Sequence, residues 1–394
     1  MLNSKKPRIL VLYDFPLKGG GSGPYIKYLT LRLIEGYGYN MAIAAPDELP
    51  IDPKIQSFPI KLPQIPVFIG RPGLEGSKKY SELTPTEIAE LYNAFIRETI
   101  RIVEIFKPDI IHVHHLMLNA WAARFIRSIY GTKIILTSHG SCIHAISKDR
   151  RYFRMTRDAL RAANAITVVS GDTRAKFLKM FGSELSIKTR TIPGGVRMSL
   201  FPQSKNSKIL KAIAEKYNIK HSNVVLFTGR LISEKGVAYL VKAARDIKGE
   251  IVIAGDGPQK NVLANLIKQK KLTNVNLLGY VDPAELRDIY YLASVFVSPS
   301  VWDDPMPLTI IEAMAAGLPV VVTRKGGIPL AVKDKYNGFF VTPRNSQDIA
   351  EKVNRLLADR SLRKKIGERA RATVQEKFTW TKIAERMHKI YATI

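Results

Sequence analysis

After a short basic lead, the chain opens on a run of apolar and β-branched residues at 8–13. Runs of the same kind recur at 41–45, 110–114, 134–138, 165–169 and 188–192. They show little polar–apolar alternation, the pattern of strands buried on both faces of a parallel sheet. The segments between them read as helices. The clearest starts at Thr84, whose hydroxyl can cap it, with Pro85 suited to the first helical position and Glu87 closing a capping box. Its pattern reaches Phe106, and Pro108 stops it. A polar stretch at 201–208 then breaks the alternation and reads as a linker. After one helix the pattern restarts, with strands at 224–228, 250–254, 275–278, 295–298 and 320–323. Asp282, Pro283 and Glu285 mark another helix start of the capping-box kind. From Ser346 the chain reads as helical to its end, with Thr379 capping the last helix. This order predicts two α/β units in tandem, residues 1–202 and 203–379, each with a mostly parallel sheet, and no sequence repeat relates them. Ligands of such sheets sit beyond the carboxyl ends of the strands. Two units facing each other are therefore expected to form a cleft lined by strand-end loops.

Composition adds a compartment and an electrostatic bias. With 46% apolar residues, the 394-residue chain can bury sizeable cores. Its one cysteine, Cys142, excludes an internal disulfide framework and a cysteine-based zinc ribbon, and fits a reducing compartment. No apolar run approaches the roughly 18 residues of a bilayer span. The N-terminus carries no signal-peptide pattern, so a cytoplasmic location is expected. Lys plus Arg is 61 against 34 for Asp plus Glu, a formal balance of +27. Such a field draws nucleotide phosphates, anionic lipid heads or nucleic acid; a solvated basic surface with no dedicated partner gives the same sign. No helix-turn-helix, zinc finger or RNA-binding aromatic motif is visible, and nucleic acid is not expected as a partner. The Gly-x-Ser-x-Gly elbow of a serine hydrolase is also missing.

Four loops carry candidate chemistry. Lys18 to Pro24, rich in glycine, follows the first strand and opens a helix at Pro24. Its backbone N–H groups could cradle a phosphate, or the loop could be a tight turn; neither the dinucleotide fingerprint nor the P-loop spacing is present. Arg230 and Lys235 flank a short loop after the opening strand of the second unit. A forked guanidinium and a point-charge ammonium together suit a diphosphate, the alternative being two solvated cations. Gly255, Asp256, Gly257 and Pro258 read as a structural turn. The segment from Trp302 to Val320 sets Asp304 and Glu312 across a loop-to-helix junction near Leu308 and Thr309. Free N–H groups at such a junction suit an anion, and a carboxylate one turn in can accept from paired hydroxyls. An acidic pair that merely favours the helix dipole would look the same.

With Glu312 followed by Ala-Met-Ala-Ala-Gly-Leu-Pro-Val, this segment resembles the E-x7-E signature of glycosyltransferase family 4, with Asp304 where the family usually has Glu. The resemblance covers nearly the whole chain. It includes Gly20, Gly21, Leu29 and Leu33 of the opening loop and helix, the strand from Pro108 to His114, and Thr137 to Gly140 around His139. It continues through Val168 to Ser170, Ile192 to Val196, Gly229, Arg230, Lys235, Gly236, and the turn at Gly255 to Pro258. Gly194 and Arg197 replace the usual Asn and Asp, and Leu330, after Gly326 and Gly327, stands where an acid is common.

The resemblance implies a GT-B fold with two Rossmann-like domains and a final helix at 380–394 crossing back to the first. It implies a retaining, metal-independent hexosyltransferase using a UDP- or GDP-hexose, with no cofactor. Arg230 and Lys235 would hold the diphosphate, joined by N–H groups near Leu308, Thr309, Gly20 and Gly21. Glu312 would accept from the ribose, Asp304 from the transferred sugar, Tyr280 and Val281 would border the base, and His139 would stand beside the anomeric carbon. The absence of an Asp-x-Asp sequence agrees with a metal-free donor site. His112, His114 and His115 raise a metal cluster as an alternative, but strand alternation places His115 on the opposite face from the other two. A sugar-nucleotide epimerase of similar fold and a non-enzymatic anion- or nucleic-acid-binding protein are the competing readings. The acceptor is open: a sugar, a small molecule or a lipid-linked substrate. The basic stretch at 148–161 carries Tyr152, Phe153, Met155 and Leu160 among its cations. It suggests an amphipathic contact with an anionic membrane at the inner face, or else a helix whose apolar residues pack on the sheet.

Overall fold

The computed structural model describes residues 6–17, 21–47, 50–65, 67, 77–204 and 206–394. The chain forms two compact units, Met1–Gly194 with Trp380–Ile394, and Gly195–Thr379. In the first, β1 (Arg8–Tyr13), β2 (Asn40–Ala45), β3 (Gln56–Pro59), β4 (Ile110–His114), β5 (Lys133–Ser138), β6 (Ala165–Val168) and β7 (Thr189–Thr191) are parallel, in the order β3-β2-β1-β4-β5-β6-β7. The central strands are buried along almost their whole length, as their unbroken apolar runs require. The helices of this part are α1 (Ser22–Tyr37), α2 (Pro85–Phe106), α3 (Leu118–Tyr130), α4 (Ser141–Lys148), α5 (Phe153–Ala162) and α6 (Gly171–Phe181). At α2, Thr84 accepts from the Glu87 N–H while Glu87 accepts from that of Thr84, so the capping box forms as its sequence dictates. Helix α1 starts at Ser22, two residues before Pro24: the first turn needs no donor from Pro24, so the proline sits inside the helix rather than opening it.

In the second unit the strands are β8 (Val224–Thr228), β9 (Glu250–Ala254), β10 (Val275–Gly279), β11 (Val295–Ser298), β12 (Val320–Thr323) and β13 (Gly338–Val341). They are again parallel, in the order β10-β9-β8-β11-β12-β13. Its helices are α7 (Ser207–Lys216), α8 (Val237–Lys242), α9 (Lys260–Gln269), α10 (Pro283–Leu292), α11 (Leu308–Ala315), α12 (Ser346–Ala358) and α13 (Arg360–Lys377). Phe201 is buried in this unit's core, and Asn206 caps α7 by accepting from the Lys208 N–H, so the polar stretch around them belongs to the second unit. At α10, Asp282 caps as expected, but Glu285 bonds Tyr217 and pairs with Lys216 instead of closing a box.

The last helix, α14 (Trp380–Ala392), returns to the first unit and packs on α1. It buries Trp380, Ile383, Met387, Ile390 and Tyr391. The Tyr391 hydroxyl meets His112 Nδ1 at 2.6 Å, and the Tyr39 hydroxyl meets His388 Nδ1 at 2.8 Å. No helix among the described residues is long and apolar enough to cross a membrane.

Candidate functional site

Strand order reverses between β8 and β11 in the second sheet, so the loops leaving these strands diverge and open a crevice at their carboxyl ends. The loop after β8 is laced to the turn after β9: the Leu231 N–H donates to Asp256 O at 2.8 Å and the Gln259 N–H to Leu231 O at 2.9 Å. The turn from Gly255 to Pro258 thus braces its neighbour, in line with its structural reading. The β8 loop then tightens at Ser233–Lys235 and ends on Gly236, at φ +67° with room for no Cβ, since one would lie 2.1 Å from Pro299 O. The Val301 N–H and the Ser300 hydroxyl both donate to Glu234 O, at 2.9 and 3.1 Å. This turn is therefore seated on the loop leaving β11, and the Lys235 ammonium reaches the Asp304 carboxylate as an ion pair. Asp304 is buried, and its own carbonyl accepts from the Gly327 N–H at 2.7 Å. Gly326, at φ +53°, lets that segment approach, because a Cβ there would fall 2.2 Å from Asp304 O. The Gly326–Gly327 pair supports the acidic loop from behind, and Leu330 beyond it is exposed.

Helix α11 starts at Leu308, as read from sequence, with no side chain capping it. Its first N–H groups have no intrahelical partner. One turn in, Glu312 is half-buried, and its Oε2 accepts from the Tyr290 hydroxyl of α10 at 3.0 Å. The same hydroxyl meets Thr228 Oγ1, at the end of β8, at 2.9 Å. Burial pushes the Glu312 carboxyl up to about 7, against the Tyr290 hydrogen bond and the Arg287 charge, which favour its ionised form. Tyr290 and Thr228 escaped the sequence reading. The available signal was one tyrosine on the buried face of α10, since a buried phenol requires a polar partner. Arg230, in the loop after β8, is exposed. Tyr280, after the edge strand β10, is 70% exposed, while Val281 is buried.

In the first unit the reversal lies between β1 and β4. His139 follows β5, and its Nε2 meets His114 Nδ1 at 2.9 Å while its ring stands edge-on to Tyr25. His112 uses both ring nitrogens on hydroxyls, Tyr391 at 2.6 Å and Thr137 at 2.7 Å. Strand alternation misplaces His115. The strand ends at His114 and His115 adopts φ +73°, which brings its ring to 5.0 Å from that of His139. Burial holds all four imidazoles below the ordinary range, His112 at about 3 and His115 at about 4. Among the described residues no group of three His, Cys, Asp or Glu is placed to hold a metal ion. Gly21 is exposed at the start of α1, and Gly20 lies outside the described residues.

The basic stretch at 148–161 differs from a free amphipathic helix. Tyr152 and Leu160 are wholly buried, and Phe153 and Met155 pack against the same core. Arg151 bonds Asp149 and the Leu83 carbonyl, leaving Arg150 and Arg154 among the exposed cations. The apolar half is consumed by the fold, where α5 packs against α3 in the first unit's core.

Residues 19–200 match the family described as Glycosyltransferase Family 4, and residues 211–373 match Glycosyl transferases group 1. An uncharacterized glycosyltransferase of Methanocaldococcus jannaschii is 30% identical over 315 residues, 74% of this chain and 76% of the relative. This chain belongs to glycosyltransferase family 4. The glycosyltransferase has the GT-B fold, and its two parallel sheets recur in solved structures of low identity. Sucrose-phosphate synthase from Thermosynechococcus elongatus superposes with a TM-score of 0.80 at 22% identity, over 98% of each chain. Anabaena HepE in complex with UDP-glucose gives 0.79 at 18% identity, over 98% of the glycosyltransferase and 100% of HepE. Membership sets aside the epimerase and the non-enzymatic binding protein.

Proposed function

We propose that this glycosyltransferase moves a hexosyl group from a nucleoside-diphosphate hexose to a hydroxyl acceptor, retaining the anomeric configuration and using no metal. The observation that carries the reading is the gathering at the second switch point of a half-buried lysine, an uncapped helix start and a buried-side carboxyl one turn in. In this reading Lys235 and Arg230 hold the diphosphate and offset charge on the departing phosphate, with the Leu308 and Thr309 N–H groups beside them. Glu312 accepts from the ribose diol, Asp304 exchanges part of its hold on Lys235 for hydroxyls of the hexose, and Tyr280 and Val281 border the base. By the same family resemblance, His139 is assigned to the anomeric carbon and the Gly20 and Gly21 loop to phosphate. A nucleotide sugar is also the ligand that HepE carries in its complex with UDP-glucose.

Bond cleavage would leave an oxocarbenium-like sugar and a phosphate on one face, and that phosphate would take the acceptor's proton. Catalysis then rests on positioning and fixed charge. The exposed cations at Arg150 and Arg154 suit weak attraction to an anionic surface and, through it, a lipid-linked acceptor at the inner face of the membrane. A donor screen by ligand-induced thermal shift, followed by mass spectrometry and anomeric NMR of products, tests the proposal. A stabilising nucleotide sugar and a product of unchanged anomeric configuration are expected; an inverted product, or strict dependence on a divalent cation, overturns the mechanism.

A further inference from the structure

The first sheet has its own switch point, between β1 and β4, and Asp14 stands directly after β1 at that place. Its side chain is buried, only 5% exposed. Oδ2 accepts from the Tyr80 hydroxyl at 2.9 Å, whereas Oδ1 is buried with no hydrogen-bond partner among the described residues. Nearby polar groups satisfy one another instead: the Tyr13 hydroxyl meets Ser22 Oγ at 2.6 Å, and Ser22 Oγ meets His115 Nε2 at 3.3 Å. In a chain of formal charge +27, no cation is paired with this carboxyl among the described residues. Burial pushes it up to about 7, opposed only by the Tyr80 hydroxyl and its own backbone N–H. A buried acceptor atom left empty is uncommon in a folded protein and calls for a use. Next in sequence, Phe15 is half-buried and stands edge-on to Tyr80, the partner of Asp14, at 6.4 Å and to His115 at 5.2 Å.

We propose that Asp14 Oδ1 is the seat of a hydroxyl on the sugar acceptor, with Tyr80 holding the carboxyl in place and Phe15 offering an apolar face to the ring's C–H groups. The proposal rests on the transferase reading above and assigns the acceptor's chemical class to it. A hydroxyl suits this position better than an ammonium. A hydroxyl can donate to the carboxylate or accept from the carboxylic acid, so it fits a carboxyl that burial pushes up, without burying a second charge beside it. An apolar face next to a carboxyl also matches the two sides of a pyranose, one set of C–H groups and one set of hydroxyls.

The test uses the full chain and two probes, methyl α-D-glucopyranoside and myo-inositol, with binding read by saturation-transfer NMR titration. Calorimetric titration of UDP, GDP and ADP runs in parallel as the readout of the second unit. In Asp14→Asn the Tyr80 hydroxyl still donates to the amide oxygen, so an NH2 donor takes the place of Oδ1. We expect at least one probe to bind the wild type, about tenfold weaker binding in Asp14→Asn, a smaller loss in Tyr80→Phe, and unchanged nucleotide affinity in both. Should Asp14→Asn fail to fold, Tyr80→Phe carries the comparison. Equal probe binding by wild type and variants, or no binding of either probe to the wild type, overturns the proposal. A wild type that binds the probes but no nucleotide contradicts the donor reading instead, so the two failures are told apart.

Discussion

In the proposed reading, Glu312 couples burial to donor binding. Its carboxyl, ordinarily 4.5, stands at about 7 because burial penalises the charge. Accepting from two ribose hydroxyls is work for the ionised form, so donor affinity should rise as pH rises through that value. Titration of UDP-glucose, whose diphosphate does not ionise in this range, should show tighter binding at about pH 8 than at about pH 6, and Glu312→Gln should flatten the profile. Tyr290→Phe removes a hydrogen bond that favours the ionised form, so the midpoint should move to higher pH; a shift to lower pH would contradict the assignment. Lys235→Ala should lower turnover on the order of a hundredfold. It also strands the Asp304 carboxylate, whose side chain is only 9% exposed, at a stability cost of about 3 kcal/mol. The double variant with Asp304→Asn should recover the thermal stability, and a turnover still well below that of Asp304→Asn alone would assign the kinetic loss to Lys235.

At the scale of elements, local chemistry was legible and long-range pairing was not. Thr84, Pro85 and Glu87 form a capping box that lies within four residues, so sequence alone places the start of α2. The edge strands β3 and β13 are each only four residues long: β3 has little apolar signal and ends on proline, while β13 is apolar but too short a run after its opening glycine to be told from a loop. The candidate residues after β8 and β11 were visible as motifs, but the Lys235–Asp304 pair depends on the Gly236 turn meeting Pro299, a contact between strands remote in sequence. Asp14 left no signal because an oxygen without a partner among the described residues is a property of packing. The final helix is held by its aromatic face, where Trp380 is 3% exposed and stands edge-on to Tyr25 at 5.4 Å. Trp380→Ala should cost about 3–5 kcal/mol, read as a lower urea midpoint, and a change within error would show that α14 contributes little to the first unit.

For the molecule as a whole, the buried imidazoles set a direction for acid sensitivity. His112 and His115 fall to about 3 and 4 when folded, from an ordinary 6.5. Between those values the unfolded chain binds more protons than the folded one, so stability is fully present above about pH 6.5 and is lost as pH falls towards about 4. Melting temperatures across that window should therefore drop, and less so in His115→Gln. The charge of +27 predicts salt-sensitive sedimentation with anionic vesicles, weakened by replacing Arg150 and Arg154 with Glu; Arg151 is a poor choice because it ties Asp149 to the Leu83 carbonyl. The central claim is that the second unit grips a nucleotide sugar through Lys235 and Glu312 without a metal. Calorimetric titration of UDP-, GDP- and ADP-glucose, with EDTA present, into the wild type, Lys235→Ala and Glu312→Gln tests it most directly. The account predicts that the wild type binds at least one of them and that both variants bind it at least about tenfold more weakly; a wild type that binds none, or variants that bind as the wild type does, would contradict it.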